Sequence, residues 1–359
     1  MTLELKIKGQ AMPDYSSASV SMSMETLAHR FAFSYSDKWL QTRVLKLPFV
    51  ELDACTIELD GATIVDGYID DIPIDYSATS HTIGVAGKSW TGHLVESSAV
   101  FKTGSWRNVD LLTLCQDICK DFGIKVTTDI WGLPYLGGPF KKWAIEGEET
   151  AHGFILRVLK ERGLYVHSNG AREIVITRAA AVPLPGALPI VFGVNTLQGS
   201  RSSRFCDRHS YYLVKSQDAG EDDYHATDVA GPFFNVDDPQ VPMHRPLVIV
   251  SDGSGKQGDL ESRAKWELTT RAGRSRRLRY TLQGLTAPGG AAWKINTLIP
   301  VKDTLLDIAE PLLIVAVDLS VDARGGSRSS IELAHPDSFD VAKPPIKKPR
   351  KTGGGKLNG

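Results

Sequence analysis

The stretch GKSWTGHLVESSA, residues 87–99, marks the point where the chain changes from predicted strands to predicted helices. Before it, short segments alternate apolar and polar side chains, as expected of strands that bury one face. After it, apolar residues recur at every third or fourth position, which is the spacing of an amphipathic helix. The stretch therefore predicts a boundary between a β domain and a helix-containing domain.

Residues 1–100 are predicted to form a small barrel or sandwich of short strands. Leu3, Leu5 and Ile7 alternate with charged residues, and similar alternation recurs up to residue 86. Asp60–Gly61 lies between two strand-like runs and is a strong signal for a two-residue hairpin turn. Several short strands with closely spaced turns are typical of small β-barrels and sandwiches.

Residues 101–180 are predicted to form an α+β domain. The first helix has Asn108 as its N-cap and ends at Gly123; its apolar face comprises Leu111, Leu114, Cys115, Ile118 and Phe122. A second helix is predicted over about 149–162, followed by two strands that are joined at Asn169–Gly170. The glycine- and proline-rich residues 131–140 between the helices are expected to form a loop.

The remaining chain is predicted to contain a linker, further strands, one loop and one helix. Three prolines in AAAVPLPGALP indicate a linker at 181–189. Strands are predicted near 195–197 and 211–214, and again between 278 and 333. The acidic residues 218–238 are expected to form a loop, and 259–274 a basic helix. The tail, residues 341–359, is rich in Pro, Gly and Lys and is expected to be disordered.

The order of these segments resembles that of the baseplate hub proteins of contractile phage tails, such as those of Mu-type and T-even phages. The resemblance rests on residues 87–99, on DGYIDDI at 66–72, and on the second helix followed by Arg162, Gly163 and Leu164. In the C-terminal half it rests on Trp293, Asn296, Leu298, Leu313, Ile314, Val315, Val317, Pro336, Asp337 and Phe339. It covers nearly all of residues 1–340, apart from the acidic loop.

The resemblance implies a mainly β fold with an α+β insert, in which two similar small β-barrels accompany helix-containing domains. The implied domains are a first barrel at 1–100, the α+β domain at 101–180, the linker at 181–189, a second barrel split between 190–216 and 278–340, an inserted acidic loop and basic helix at 217–277, and the tail at 341–359. The duplication of the barrel is implied by the resemblance alone.

The resemblance also implies a function. Such hubs are homotrimeric rings that adapt the sixfold tail tube to the threefold central spike and surround the channel for DNA. The implied partners are further copies of this chain, a separate spike protein, the tail tube and other baseplate proteins, with transient passage of DNA. The implied location is the tail baseplate of the virion, and the host cytoplasm during assembly.

Composition agrees with such a structural role. The chain of 359 residues is 42% hydrophobic and 23% charged, with a net charge of −1, so no overall field favours nucleic acid or membrane. No stretch approaches the roughly 20 apolar residues that a membrane span requires. The N-terminus lacks the apolar segment of a signal peptide. We therefore expect no membrane insertion.

No catalytic, cofactor-binding or metal site is predicted, and the protein is not expected to be an enzyme. Ser89 lies in GKSWTG, which does not match the GxSxG nucleophile motif, and no HExxH motif occurs. The adjacent acids at 70–71 and 148–149 do not face one another across a substrate, as a glycosidase requires. Cys115 and Cys119 are spaced for one helix face but lack further ligands.

An arginine cluster is the one candidate interface, formed by Arg263, Arg271, Arg274, Arg276 and Arg277. It is expected to be a solvated face, or to pair with the acidic 218–238 segment or with a neighbouring protomer. The alternative is contact with DNA phosphates. Two competing function classes follow: a nucleic-acid-binding protein that uses Arg263–Arg279, and a stand-alone carbohydrate-binding β-sandwich with an exposed aromatic platform.

Overall fold

The computed structural model describes residues 2–36, 47–77, 81–130, 136–179, 182–216, 232–251, 257–323 and 325–336. Its strands, numbered in chain order, are β1 (Leu3–Ile7), β2 (Gln10–Ala11), β3 (Tyr15–Ser23), β4 (Arg30–Ser36), β5 (Ala54–Leu59), β6 (Ala62–Asp71), β7 (Ile74–Tyr76), β8 (His81–Ser89), β9 (Ser105–Val109), β10 (Lys125–Thr128), β11 (Phe140–Ala144), β12 (Tyr165–Ser168), β13 (Glu173–Thr177), β14 (Ile190–Val191), β15 (Thr196–Ser203), β16 (Tyr211–Ser216), β17 (Phe233–Asp237), β18 (Pro246–Ser251), β19 (Arg276–Gln283), β20 (Leu298–Asp303), β21 (Ile308–Asp322) and β22 (Gly326–Ala334).

Helices are fewer and mostly short. The α-helices are α1 (His93–Glu96), α2 (Leu111–Cys119), α3 (Ala151–Lys160) and α4 (Gln257–Ser275), with 3-10 turns at Trp90–Gly92 and Lys120–Phe122. The predicted mainly β class is confirmed. None of the helices in the described part of the chain is long and apolar enough to cross a membrane.

Fourteen strands form one continuous sheet that contains both predicted barrel regions. Its order is β15-β19-β22-β21-β3-β4-β8-β6-β5-β1-β2, with β7 paired to β8, β20 paired to β21 and β14 paired to β20. The first half, β1–β8, joins the second half where β3 pairs antiparallel with β21. The order has two ends, so the described strands form one open sheet and not two closed barrels.

The sheet is built from local hairpins that the sequence signals well. Asp60 and Gly61 have φ values of +49° and +82°, as a type I′ turn requires, and they join β5 to β6 as predicted. Asp66–Gly67, by contrast, lies inside the continuous strand β6. The apolar residues of both halves pack into one core between 3 and 334, which fixes the halves relative to each other.

The α+β domain has a core of its own, in which α2 and α3 pack near the sheet β10-β13-β12. The predicted N-cap of α2 is wrong. Asp110 occupies that position and accepts a hydrogen bond from the Thr113 N–H, because Asn108, at φ +47°, belongs to the irregular strand β9. The predicted stop at Gly123 is confirmed by its left-handed conformation, φ +64°.

A third unit consists of the sheet β17-β16-β18, which packs on α4. Tyr211–Ser216, which the domain prediction assigns to the second barrel, pairs among the described residues with β17 and β18 and not with the large sheet. The predicted acidic loop is wrong at its C-terminal end, where Phe233–Asp237 is a strand. Residues 217–231, the first half of the loop 131–140 and the tail 341–359 lie outside the described residues. The basic helix is confirmed as α4.

Candidate interdomain and assembly site

Residues 87–99 form the junction between the first half-sheet and the α+β domain. The Trp90 indole N–H donates to Asp66 Oδ1 at 3.0 Å. The Arg172 guanidinium lies over the Trp90 ring, 4.1 Å from its centre, and its Nε is 3.4 Å from Asp66 Oδ2. One carboxylate on β6 therefore orients an aromatic ring and a cation from two different domains.

The same junction contains a close backbone approach. The Asp66 N–H donates to the Gly170 carbonyl at 2.7 Å. Gly170 has φ +88°, and a Cβ placed on it would lie 2.2 Å from the Ile64 carbonyl oxygen. Only glycine fits here, because any side chain would separate the two domains or distort the turn.

Beneath this contact lies a buried group of polar side chains. The His29 N–H donates to Ser89 Oγ at 3.0 Å, and the Thr91 hydroxyl donates to the Leu27 carbonyl at 2.8 Å. Both hydroxyl groups are fully buried and form hydrogen bonds with the backbone of residues 27 and 29. Ser89 therefore has a structural role. Neither His29 ring nitrogen has a hydrogen-bond partner among the described residues, and burial, followed by the charge of His167, lowers the pKa of His29 to about 4.

The arginine cluster divides into two groups, of which the first joins α4 to α3. Arg263 lies 3.3 Å from Glu161, at the end of α3, and 3.0 Å from Glu267 on its own helix. Arg271 lies 3.1 Å from the second oxygen of Glu267. Glu161 is fully buried and also accepts a hydrogen bond from the Ser251 hydroxyl at 2.6 Å. This group therefore connects three elements of the chain.

The second group connects the end of α4 and the start of β19 to the first half-sheet. Arg274 and Arg277 each lie 2.9 Å from Glu25, which follows β3, and Arg277 lies 3.4 Å from Glu332. Arg276 is exposed, with its guanidinium 5.8 Å from the Phe205 ring centre. Four of the five candidate arginines thus form ion pairs within the chain, and their partners lie outside the predicted acidic segment.

The other candidate groups do not come together as a reactive site. Asp70 pairs with Lys88, and Glu149 pairs with Arg157 at 2.8 Å. Burial raises the pKa of the Cys119 thiol to about 12 and that of Cys115 well above its ordinary value. In the described ranges no three His, Cys, Asp or Glu side chains are grouped so that they could hold a metal ion.

Sequence reasoning missed an exposed apolar surface on the small sheet β17-β16-β18. Phe233, Val248 and Val250 are each more than half exposed, at 60%, 55% and 55%. They lie on the sheet face opposite Val214, which packs on α4. The continuous apolar run Leu247–Val250 in PLVIVS, residues 246–251, was the available signal, because successive side chains of a strand point to opposite faces. Exposed apolar residues grouped in this way are typical of protein–protein contacts.

Comparison with known families gives three matches that follow one another along the chain. Residues 2–89 match the N-terminal domain of the Mu phage baseplate assembly protein GpP-like family. Residues 91–178 match the second domain of baseplate hub protein gp44-like proteins. Residues 257–342 match the fourth domain of Mu phage baseplate assembly protein GpP. The boundary between the first two matches falls within the junction described above.

Whole-chain relatives agree with these matches. The baseplate hub protein gp44 of Escherichia phage Mu is 27% identical, and the match covers 100% of this chain and 93% of gp44. The 43 kDa tail protein of prophage MuSo2 from Shewanella oneidensis has a TM-score of 0.81 at 29% identity, covering 94% of this chain and 99% of that protein.

A tail protein from Neisseria meningitidis MC58 has the same fold, with a TM-score of 0.78 at 17% identity and coverage of 94% and 97%. The family matches follow the order of the domains, and the relatives span almost the whole chain. This protein therefore belongs to the Mu-like family of phage baseplate hub proteins, which are structural components of the tail and not enzymes.

Proposed function

We propose that this protein is the trimeric hub at the centre of a contractile tail baseplate. Three copies form a ring in which each chain contributes two barrel-like units. Such a ring presents six similar units to the sixfold tail tube and threefold symmetry to the central spike. DNA crosses the channel that the ring surrounds. The partners are further copies of the chain, a separate spike protein, the tail tube and other baseplate proteins.

The observation that carries this proposal is the division of one sheet into two halves that share a ladder. The first half lies within residues 1–100, and the second within 190–203 and 276–334. Seven residue pairs from Ala316–Ser23 to Asp322–Ser17 join them. A single chain therefore supplies two β units in a fixed relative position, as a ring with twice as many units as chains requires.

The two ends of the large sheet support head-to-tail assembly. Strand β15 forms one end, and all of its residues except Thr196 are exposed. Its outer edge has no strand partner among the described residues, and such an edge can pair with a strand of another chain. A head-to-tail interface that closes after three copies leaves no edge on which further copies can add.

The arginine cluster favours a structural hub over a nucleic-acid-binding protein. Phosphate binding requires cations that are free to contact phosphates and so displace the counterions of the DNA, whereas Arg263 and Arg277 are largely buried and paired with carboxylates. In the proposed hub, passage of DNA through the channel requires no attachment to these side chains.

Light scattering coupled to size-exclusion chromatography tests the oligomer, and negative-stain images test the ring. We expect a trimer with a central hole, for the hub alone or with its spike protein. The variant Leu197→Lys, at an exposed position of β15, should reduce the trimer fraction without lowering the melting temperature. Val100→Lys, at an exposed position between α1 and β9, is the matched control. Monomers alone, with and without the spike, would contradict the proposal.

A further inference from the structure

A cavity of about 180 Å³ lies where the first half-sheet, the α+β domain and α4 meet. The turn after β3, one face of α3, strand β12 and one face of α4 form its walls. An engineered apolar cavity of about 150 Å³ holds benzene, so this volume suits a small organic group.

The carboxylates of the cavity are already paired. Glu25 lies 2.9 Å from Arg274, and Glu267 lies 3.1 Å from Arg271 and 3.0 Å from Arg263. These are the two acidic side chains that line the described walls. Every carboxylate that faces the cavity is therefore engaged by a guanidinium.

Lys160, on α3, is the cation without a counterion. Its Nζ lies 5.2 Å from the centre of the Trp266 ring, and it has no carboxylate partner among the described residues. Burial lowers the pKa of Lys160, and the charges of Arg263, Arg274 and Arg271 lower it further against the opposing effect of Glu267. A half-buried ammonium in this position destabilises the fold unless an anion joins it.

The rest of the wall is apolar or uncharged. Met24, Leu27, Leu156 and Val166 line it, together with the rings of Tyr165 and Trp266. His152 lies on the same wall, and burial followed by the charge of Lys160 lowers the pKa of its ring to about 4, so it is neutral at pH 7. The cavity thus combines one uncompensated positive charge with apolar and aromatic surface.

We propose that this cavity binds a carboxylate attached to a short apolar chain, with the Lys160 ammonium as its cationic partner and the Trp266 ring against the apolar part. One negative charge neutralises the surplus, and the aliphatic and aromatic side chains on part of the wall favour an anion that carries an apolar group. The carboxylate belongs either to the C-terminal residue of a neighbouring protein or to a free carboxylic acid. This site is independent of the proposed ring.

The test is thermal unfolding of the full-length protein with N-acetyl-L-leucine, with N-acetyl-L-leucinamide as the uncharged control. A ligand that binds only the folded state raises the free energy of unfolding by RT ln(1 + [L]/Kd). At ten times Kd we expect the acid to raise the melting temperature by about 2 °C. The amide and inorganic phosphate should leave it unchanged.

The variant Lys160→Met retains the apolar stem of the side chain and removes its charge. Without ligand, it should melt at the same temperature as the wild type or higher, and it should lose the response to N-acetyl-L-leucine. Lys142→Met, at an exposed position of β11, is the matched control and should keep the response.

Equal stabilisation by the amide or by phosphate would overturn the proposal, and so would a retained response in Lys160→Met. Lower stability of unliganded Lys160→Met would also overturn it, because Lys160 would then serve the fold itself. The peptide acetyl-Ser-Gly-Leu with a free C-terminus distinguishes the sources. Tighter binding than N-acetyl-L-leucine supports a protein C-terminus, and equal or weaker binding supports a free acid.

Discussion

Val20 of β3 lies directly opposite Leu319 of β21 in the antiparallel ladder that joins the two halves of the large sheet. Both side chains are buried in the shared core. The neighbouring pair Met22–Val317 repeats the arrangement. Because these contacts connect residues about 300 positions apart, neither half can lose its packing without exposing part of the other.

The first prediction concerns this shared ladder. Leu319→Ala should lower the free energy of unfolding by about 2–5 kcal/mol, as expected for a fully buried leucine. Urea unfolding followed by tryptophan fluorescence and by circular dichroism should show coincident transitions for the large sheet. Val194→Ala, at a position that is 79% exposed, is the control and should change stability by less than about 0.5 kcal/mol. Separate transitions for β1–β8 and β19–β22 would contradict a shared core.

The second prediction separates buried from exposed members of the arginine cluster. The Arg263 side chain is 12% exposed and faces the buried Glu161. Arg263→Gln should therefore destabilise the protein by about 3–5 kcal/mol, because a buried carboxylate loses its cation. Arg274, at 53% exposure, pairs with Glu25 at the surface, and Arg274→Gln should cost about 1 kcal/mol or less. Denaturant titration measures both, and equal costs would contradict the assignment.

The third prediction addresses DNA directly. Fluorescence anisotropy with a labelled duplex should show no binding whose affinity falls steeply with salt. The triple variant in which Arg274, Arg276 and Arg277 become Ala should bind no more weakly than the wild type. Micromolar binding that is lost in the triple variant and declines with salt would favour the nucleic-acid-binding alternative.

Local signals allowed much of this fold to be predicted from the sequence. The hairpin at Asp60–Gly61, the α3 helix and the stop at Gly123 each depend on residues within a few positions of one another. Strand β3 was not predicted, because its serine-rich sequence has weak strand propensity and is stabilised by pairing with β21. The register of that pairing is set by burial over a sequence separation that no local pattern reports.

The candidate site could be predicted only in part. The arginine cluster is visible as a run of basic residues, but Glu25 lies 249 positions from Arg274 and Glu161 lies 102 positions from Arg263. Their pairing follows from the tertiary fold. The position of Tyr211–Ser216 also depends on the tertiary fold, because this strand pairs in parallel with Pro246–Ser251 and belongs to the small sheet. Non-local contacts of this kind leave no periodicity in the sequence.

The fourth prediction concerns pH. The pKa of His29 is about 4 in the folded protein, below its ordinary value of 6.5, because the ring is buried and His167 adds an unfavourable charge. The unfolded chain therefore takes up a proton first, so stability is lost as the pH falls from about 6.5 to 4 and is unaffected by this group above that window. The loss amounts to about 3 kcal/mol for such a shift.

His29→Phe tests this directly, because no described hydrogen bond to the ring is lost. Between pH 7.5 and 4.5 the variant should lose about 2 kcal/mol less stability than the wild type. His152 titrates in both proteins and contributes equally to the comparison. Parallel pH profiles for the two proteins would show that His29 has a polar partner in solution.

The last prediction compares two glycines that share a left-handed backbone but differ in their surroundings. A Cβ added to Gly123, at φ +64°, would have no atom within 4 Å, whereas a Cβ on Gly170, at φ +88°, would meet the Ile64 carbonyl oxygen at 2.2 Å. Gly123→Ala should therefore cost only the backbone strain, about 1–2 kcal/mol. Gly170→Ala adds a clash with backbone that cannot rotate away, and should cost at least about 2 kcal/mol more.

The two glycine variants should also differ in which part of the protein exchanges its amide hydrogens faster. The Asp66 N–H donates to the Gly170 carbonyl across the junction. Its hydrogen exchange should accelerate in Gly170→Ala and stay slow in Gly123→Ala, because only the first variant separates the half-sheet from the α+β domain. Denaturant titration gives the free energies, and exchange measured by NMR gives the location. Equal costs for the two variants, with Asp66 protected in both, would mean that the junction adapts without opening and that the close approach at Gly170 does not hold the domains together.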